Sequence, residues 1–167
     1  MAKKELKATH VKCTTYKKYE KAQSVLANAQ YLQAKDEFLS KFALCEIACK
    51  SVIEYYKKAQ DESIDIKEIK LDMRSIPAAF AKFNYDIDRH ILTDIFSASK
   101  NRGQKSAKKL RDCIVHALSE EDILEVINRK AYLYSVMDSF LNIIKEGQEQ
   151  DIQTQEAADA ERVLMLV

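Results

Sequence analysis

Residues that interrupt helices are scarce in this chain, which has only 2 glycines and 1 proline among its 167 residues. A protein built from β-strands needs frequent turns, and glycine, proline and asparagine usually supply them. Their scarcity therefore predicts an all-α fold, in which long helices are joined by a few short connections. Because apolar residues also repeat at helical spacing, we expect an up-and-down bundle of about five to six helices.

Apolar side chains at spacings of three and four residues predict where the first helices lie. The first predicted helix covers Tyr16–Ala34, and its apolar face consists of Tyr19, Ala22, Leu26 and Ala29. The second is capped by Asp36 and ends near Gln60, and its apolar face consists of Phe38, Phe42, Cys45, Cys49, Val52 and Tyr56. A short helix with Pro77 in its first turn and a helix over Asp86–Ala98 are expected to follow.

Two further helices are predicted in the last third of the chain. One covers Gln104–Leu118, and the other begins at Ser119, which opens a capping-box pattern, and stops at Gly147. We expect a single domain over 1–167 with its helical core at about 15–146, because a chain of this length can bury a core of its own. The acidic segment 148–167 is predicted to be a tail or a frayed last helix.

The net charge of +1 identifies no partner, but the basic residues are unevenly distributed. One basic run lies near the N-terminus and includes Lys3, Lys4, Lys7, Lys12, Lys17, Lys18 and Lys21. A second run lies before and within the Gln104–Leu118 helix and includes Lys100, Arg102, Lys105, Lys108, Lys109 and Arg111. Such runs are usually solvated helix faces, but they can also bind phosphates.

Neither a signal peptide nor an apolar run of roughly 18 residues, the length of a membrane helix, is present. We therefore expect a cytoplasmic protein without membrane association, whose four cysteines are reduced thiols. Cys45 and Cys49 lie one helical turn apart and could present two thiolates to zinc. Both belong to an apolar face, however, so buried core thiols are the favoured interpretation, and no metal or cofactor is predicted.

A helical wheel of Gln104–Leu118 separates an apolar face from a charged one. The predicted core face consists of Ala107, Leu110, Cys113, Ile114, Ala117 and Leu118. Arg111, Asp112 and His116 lie on the other face, together with Lys105, Lys108 and Lys109. Val115 lies among these charged residues, and an apolar β-branched residue in that position suggests that another surface covers it. A second copy of the same helix would do so.

Arg111 and His116 together could cleave a phosphodiester. A histidine can transfer the proton of a 2′-hydroxyl or of the leaving group, and an arginine can stabilise charge on phosphoryl oxygens. Asp112, one turn before His116, could orient the imidazole. The spacing alone is weak, because an Arg and a His on an exposed helix are more often simply solvated. No carboxylate cluster for two divalent metals is apparent.

At Arg111-Asp112-Cys113-Ile114-Val115-His116 the chain resembles the HEPN (higher eukaryote and prokaryote nucleotide-binding) superfamily. The segment 42–50, with a Glu-x-x-x-Lys step from Glu46 to Lys50, is also similar to the second helix of that family. The resemblance covers roughly residues 15–146, mostly as helix order, and only the six-residue motif is specific.

The resemblance implies a homodimer in which two motif helices meet and form one composite basic cleft. It also implies metal-independent RNA cleavage that leaves a 2′,3′-cyclic phosphate, commonly in toxins and phage defence. Arg111, His116 and Asp112 would then be catalytic, Val115 would lie in the dimer interface, and the RNA backbone would be held by Arg102, Lys105, Lys108 and Lys109. An antitoxin or regulatory protein is a possible partner. The family's toxins that are paired with a nucleotidyltransferase carry a tyrosine where this chain has Leu118, which puts control by modification of that tyrosine in doubt.

Two other functions fit the same residues. The chain could be a non-catalytic helical interaction module that uses Val115 and the charged face to bind a different protein. It could also coat RNA without cutting it. Cleavage of RNA, or co-purification of a second protein, distinguishes these hypotheses.

Overall fold

The computed structural model describes residues 16–60, 65–83, 85–98 and 103–165, and the described residues are almost entirely helical. Helix α1 covers 16–27, and it is followed by α2 (Ala29–Lys58), α3 (Ser75–Lys82), α4 (Arg89–Phe96), α5 (Ala107–Ala117), α6 (Glu120–Asn128) and α7 (Lys130–Met165). A short 3-10 turn lies at Ile66–Glu68. The predicted all-α class is confirmed, and no β-strand occurs within the described ranges.

The first two helices meet at Asn28, not at Asp36. The Asn28 side chain accepts hydrogen bonds from the backbone N–H groups of Gln30 and Tyr31, at 3.0 and 3.2 Å. These bonds satisfy two amides that have no partner within a helix, so α2 begins eight residues earlier than predicted. Asp36 lies inside α2, where it pairs with Lys35. Residues 16–34 are helical as predicted, except for Asn28, but the predicted boundary at Asp36 was wrong.

The predicted apolar face of the second helix is confirmed. Its side chains at Phe38, Phe42, Cys45, Cys49 and Val52 are all buried. Helix α2 packs against α3, α5, α6 and α7, and so forms the centre of the domain. Aromatic contacts join its Phe42 to Phe96 of α4, and Phe96 to Phe140 of α7. The core therefore extends along α2 and holds the surrounding helices in place.

The apolar face predicted for the first helix was wrong. Val25 is the buried side chain of α1, whereas Tyr19 and Leu26 are 58% and 47% exposed. Because α1 is only three turns long in the described part, a shift of one residue in the periodic pattern is enough to select the wrong face.

Helices α4 and α5 are shorter than predicted because side chains cap them inside the predicted ranges. Asp88 caps α4 by accepting from the His90 N–H, so the helix begins at Arg89 and not at Asp86. Ser106 caps α5, and Leu118 ends it in a left-handed conformation with φ of 45°. Pro77 lies in the first turn of α3, as expected.

The helix that begins after Ser119 is divided at Arg129. Ser119 caps α6 as predicted, since its hydroxyl accepts from the Asp122 N–H. The Arg129 guanidinium donates to the Lys105 carbonyl and to Glu125, and a separate helix, α7, begins at Lys130. The buried face of α7 is accordingly Leu133, Met137, Phe140 and Ile144.

Gly147 does not end a helix, contrary to the prediction, because α7 continues to Met165. A Cβ atom at Gly147 would lie 2.3 Å from Tyr85 Cε1, so the glycine provides space for the tyrosine ring. Close packing explains this residue, not a left-handed turn. Although α7 is long, none of the described helices is long and apolar enough to cross a membrane.

Candidate functional site

Helix α5, which carries Arg111 and His116, is fixed at both ends. The buried hydroxyl of Ser106 accepts from the Lys109 N–H at 3.1 Å and donates to the Ser97 carbonyl at 2.5 Å. At the other end, the Leu118 N–H bonds to the Ile114 carbonyl at 3.0 Å. The buried Leu110 and Ile114 hold the apolar face against the core. The outer face of α5 is therefore presented in a defined orientation.

The Arg111 guanidinium is held by a cluster of charged side chains. Its Nη2 lies 3.1 Å from Glu46 Oε2, and its Nη1 lies 2.9 Å from Asp112 Oδ1. The guanidinium carbon also lies 5.3 Å from the centre of the Phe42 ring, within the range of a cation–π contact. Glu46 in turn pairs with Lys50 at 3.0 Å. With an exposed side-chain fraction of 27%, Arg111 is ordered but still reachable from solvent.

Asp112 contacts Arg111, and not the histidine that we expected it to orient. Within the described residues no hydrogen bond joins Asp112 to His116. The adjacent guanidinium offers a charged donor to this carboxylate, so the pair forms between neighbouring residues of α5. In this conformation the orientation of the imidazole does not come from Asp112.

His116 is exposed in the last turn of α5 and lines a groove of about 540 Å³ between α1 and the α5–α6 connection. The same groove contains Lys18 and Lys21 of α1. The sequence identified the N-terminal basic run but not its proximity to the motif helix. Val25 is the buried residue of α1, and the packing of this helix on the domain lets the two lysines line the same groove as His116. The predicted core residue Ala117 is exposed and also lines this groove.

The lysines predicted to bind RNA differ in how they are placed. Lys105 Nζ lies 2.5 Å from Asp122 Oδ1 and 3.5 Å from Glu125 Oε2, and Lys108 Nζ donates to the Leu71 carbonyl at 2.8 Å. A phosphate would have to replace these internal partners. The side chain of Lys109 has no ion pair or hydrogen bond among the described residues. Arg102 lies outside the described residues.

Val115 is 56% exposed on the outer face of α5, where the sequence placed it. Two apolar side chains of α2 are also exposed, Leu44 at 57% and Ile47 at 59%. Whether a second copy covers Val115 stays a prediction.

Cys45 and Cys49 are buried and unbridged in the core. Burial raises the pKa of the Cys45 thiol to about 12, and it raises the pKa of Cys49 well above its ordinary range. Both side chains are therefore protonated thiols that pack as apolar groups. In the part of the chain that the structure describes, no three histidine, cysteine, aspartate or glutamate side chains are grouped to hold a metal ion.

Comparison with known proteins identified no relative, because the chain matches no family model, no curated protein and no solved structure.

Proposed function

We propose that this protein is a metal-independent endoribonuclease of the HEPN kind, an up-and-down helical bundle that acts as a homodimer and serves as a toxin or a phage-defence effector. The observation that carries the proposal is the arrangement on α5. A partly exposed Arg111 guanidinium and an exposed His116 imidazole stand on one rigid helix, and His116 lines a groove with two lysines.

In this mechanism His116 transfers the proton of the attacking 2′-hydroxyl or of the 5′-oxygen leaving group. Arg111 donates to the non-bridging phosphoryl oxygens, on which negative charge increases in the transition state. The 2′-oxygen forms a bond to phosphorus as the bond to the 5′-oxygen breaks, so the products carry a 2′,3′-cyclic phosphate and a 5′-hydroxyl. Glu46 and Phe42 position the Arg111 guanidinium before the substrate arrives.

A dimer is part of the proposal because Arg111 and His116 point in different directions. At about 100° per residue, a step of five residues turns a helix by about 140°. Val115 lies between them on the wheel, so a second copy that packs on Val115 would bring its own Arg111 and His116 to the same cleft. The active site would then be composite.

The test is an RNA-cleavage assay in EDTA that compares the wild type with Arg111→Ala and His116→Ala. Arg89→Ala and His90→Ala are matched controls, because both residues are exposed on α4. We expect His116→Ala to lose about 10²- to 10⁴-fold in rate, the usual contribution of acid–base catalysis. Arg111→Ala should lose about 10²- to 10³-fold, the usual contribution of a donor to transition-state charge, while the controls keep full activity. The products should carry 2′,3′-cyclic phosphate ends. Equal cleavage by all five proteins would identify a contaminant and refute the proposal.

The dimer has a separate test. Val115→Glu should turn the protein into a folded monomer in analytical ultracentrifugation and abolish cleavage, because a composite site needs both copies. Leu124→Glu on α6, at a position 38% exposed, is the control. A fully active Val115→Glu monomer would contradict the composite site.

A non-catalytic interaction module is the second candidate. Two observations favour it: Arg111 is already bound to two carboxylates, as in a structural ion pair, and Leu44 and Ile47 leave α2 with an exposed apolar surface. The partner would be an antitoxin or a regulatory protein. No cleavage by the wild type, together with a stable complex with such a protein, would favour this candidate.

A further inference from the structure

The groove beside His116 has one basic wall and one acidic wall. Lys18 and Lys21 line it from α1, and Glu120 and Glu121 line it from the first turn of α6. The remaining lining residues are Ala22, Val25, His116, Ala117, Leu118 and Ser119. Val25 is 3% exposed, so this part of α1 is anchored on the body of the domain.

Lys18 and Lys21 are exposed, and neither has an ion-pair partner among the described residues. The acidic wall is partly occupied, because Glu120 Oε1 accepts a hydrogen bond from the Tyr31 hydroxyl at 3.1 Å. By contrast, Lys35, Lys41, Lys50 and Lys130 each lie within 3.0 Å of a carboxylate. Lys18 and Lys21 are therefore cations that can accept an external anion without breaking an internal pair.

We propose that this groove binds the backbone of single-stranded RNA, and that Lys18 and Lys21 hold phosphates next to the one that is cleaved at His116. The inference rests on the proposed ribonuclease function and extends it by adding α1 to the substrate site. Glu120 and Glu121 repel phosphate and so keep the backbone on the α1 wall, where the lysines can reach it. The strand enters the site along α1, and not only along the lysines of α5.

The test measures binding separately from cleavage. Fluorescence anisotropy of a labelled single-stranded RNA with 2′-O-methyl groups, which cannot be cleaved by 2′-hydroxyl attack, gives the affinity at several salt concentrations. The variant is Lys18→Gln/Lys21→Gln. The control is Lys17→Gln/Lys82→Gln, which removes the same charge from exposed positions outside the groove.

Counterion release predicts the size of the effect. Each phosphate contact to a single strand contributes a slope of about −0.7 to the plot of log affinity against log salt. Loss of two contacts should make this slope less steep by about 1.4. If the variant and the wild type bind equally at 1 M salt, the variant should bind roughly 25-fold more weakly at 0.1 M salt. The control should bind within about twofold of the wild type.

Each outcome decides one of the two proposals. If the groove variant binds with the affinity and salt slope of the wild type, the groove is not a backbone site, whatever the cleavage assay gives. If the groove and control variants weaken equally, only the total charge matters, and the inference is also overturned. If the wild type binds RNA without cutting it, the proposed ribonuclease function is refuted. The affinities of the groove and control variants then still decide whether the groove binds the RNA backbone. If the wild type does not bind RNA, the proposal that the groove binds the RNA backbone is refuted.

Discussion

Replacement of Lys105 by methionine should destabilise the fold, although the sequence predicts that this lysine binds RNA. Its ammonium group lies between Asp122 and Glu125, and the side chains of Lys105 and Asp122 are only 17% and 8% exposed. The substitution keeps the aliphatic part of the side chain but leaves the Asp122 carboxylate without its cation. The pair joins the start of α5 to α6, so its loss weakens the support of the motif helix.

The magnitude lies between two limits. Loss of one partner of a fully buried ion pair costs about 3–5 kcal/mol, whereas an exposed pair contributes about 1 kcal/mol or less. Because Lys105 retains some contact with water, we expect a loss of about 2 kcal/mol in the free energy of unfolding. For a domain of this size that corresponds to a fall in Tm of about 4–8 °C.

The assay is urea and thermal denaturation followed by circular dichroism, with Lys109→Met as the control. Lys109 lies on the same helix and lacks an internal ion pair among the described residues, so its substitution should change stability by less than about 0.5 kcal/mol. The hydrogen bond to Asp122 raises the pKa of Lys105 above its ordinary 10.5. The ion pair therefore stabilises the fold at neutral pH and up to about pH 10, and this stabilisation is lost as the pH rises through the raised pKa of Lys105.

Equal stability of Lys105→Met and Lys109→Met at pH 7 would refute this reasoning. If Lys105→Met also weakened RNA binding, Lys105 would be a phosphate-binding residue whose ammonium group exchanges the Asp122 carboxylate for an RNA phosphate. A difference in stability that persists unchanged after the pH has risen through the raised pKa of Lys105 would show that packing of the side chain, and not its charge, is responsible.

Three further substitutions or reagents test other parts of the structure. Gly147→Ala should lower the free energy of unfolding by about 1 kcal/mol, as measured by calorimetry, because the clash with Tyr85 outweighs the gain in helix propensity. In the Tyr85→Ala background, where the ring is absent, the same substitution should stabilise the protein relative to Tyr85→Ala alone. Asn28→Ala should cost about 1 kcal/mol in chemical denaturation, and an unchanged midpoint would contradict its role as the cap of α2. Cys45 and Cys49 should resist a thiol reagent at pH 8 in the folded protein, as read by mass spectrometry, because burial raises both pKa values; rapid labelling would indicate an open core.

The sequence by itself determined the features that depend on neighbouring residues. The scarcity of glycine and proline predicted the all-α class, and the periodic pattern from Phe38 to Val52 identified the buried face of the central helix. Ser119 was recognised as a cap because a capping hydroxyl and the amide that it binds lie within one turn. The same kind of local signal was wrong at Asp36, because the second helix begins at the Asn28 cap, which the apolar pattern did not identify.

Tertiary packing alone decided which charged groups are free to meet a substrate. Arg111 and Glu46 are 65 residues apart in the chain, and Lys105 and Asp122 are 17 apart, so no local spacing indicates that they pair. The same holds for Lys18 and Lys21, which line the groove of His116 although they lie about a hundred residues earlier in the chain. The physical reason is that periodicity assigns a residue to a face of its own helix, whereas the identity of the opposing charge depends on the helix that packs against that face.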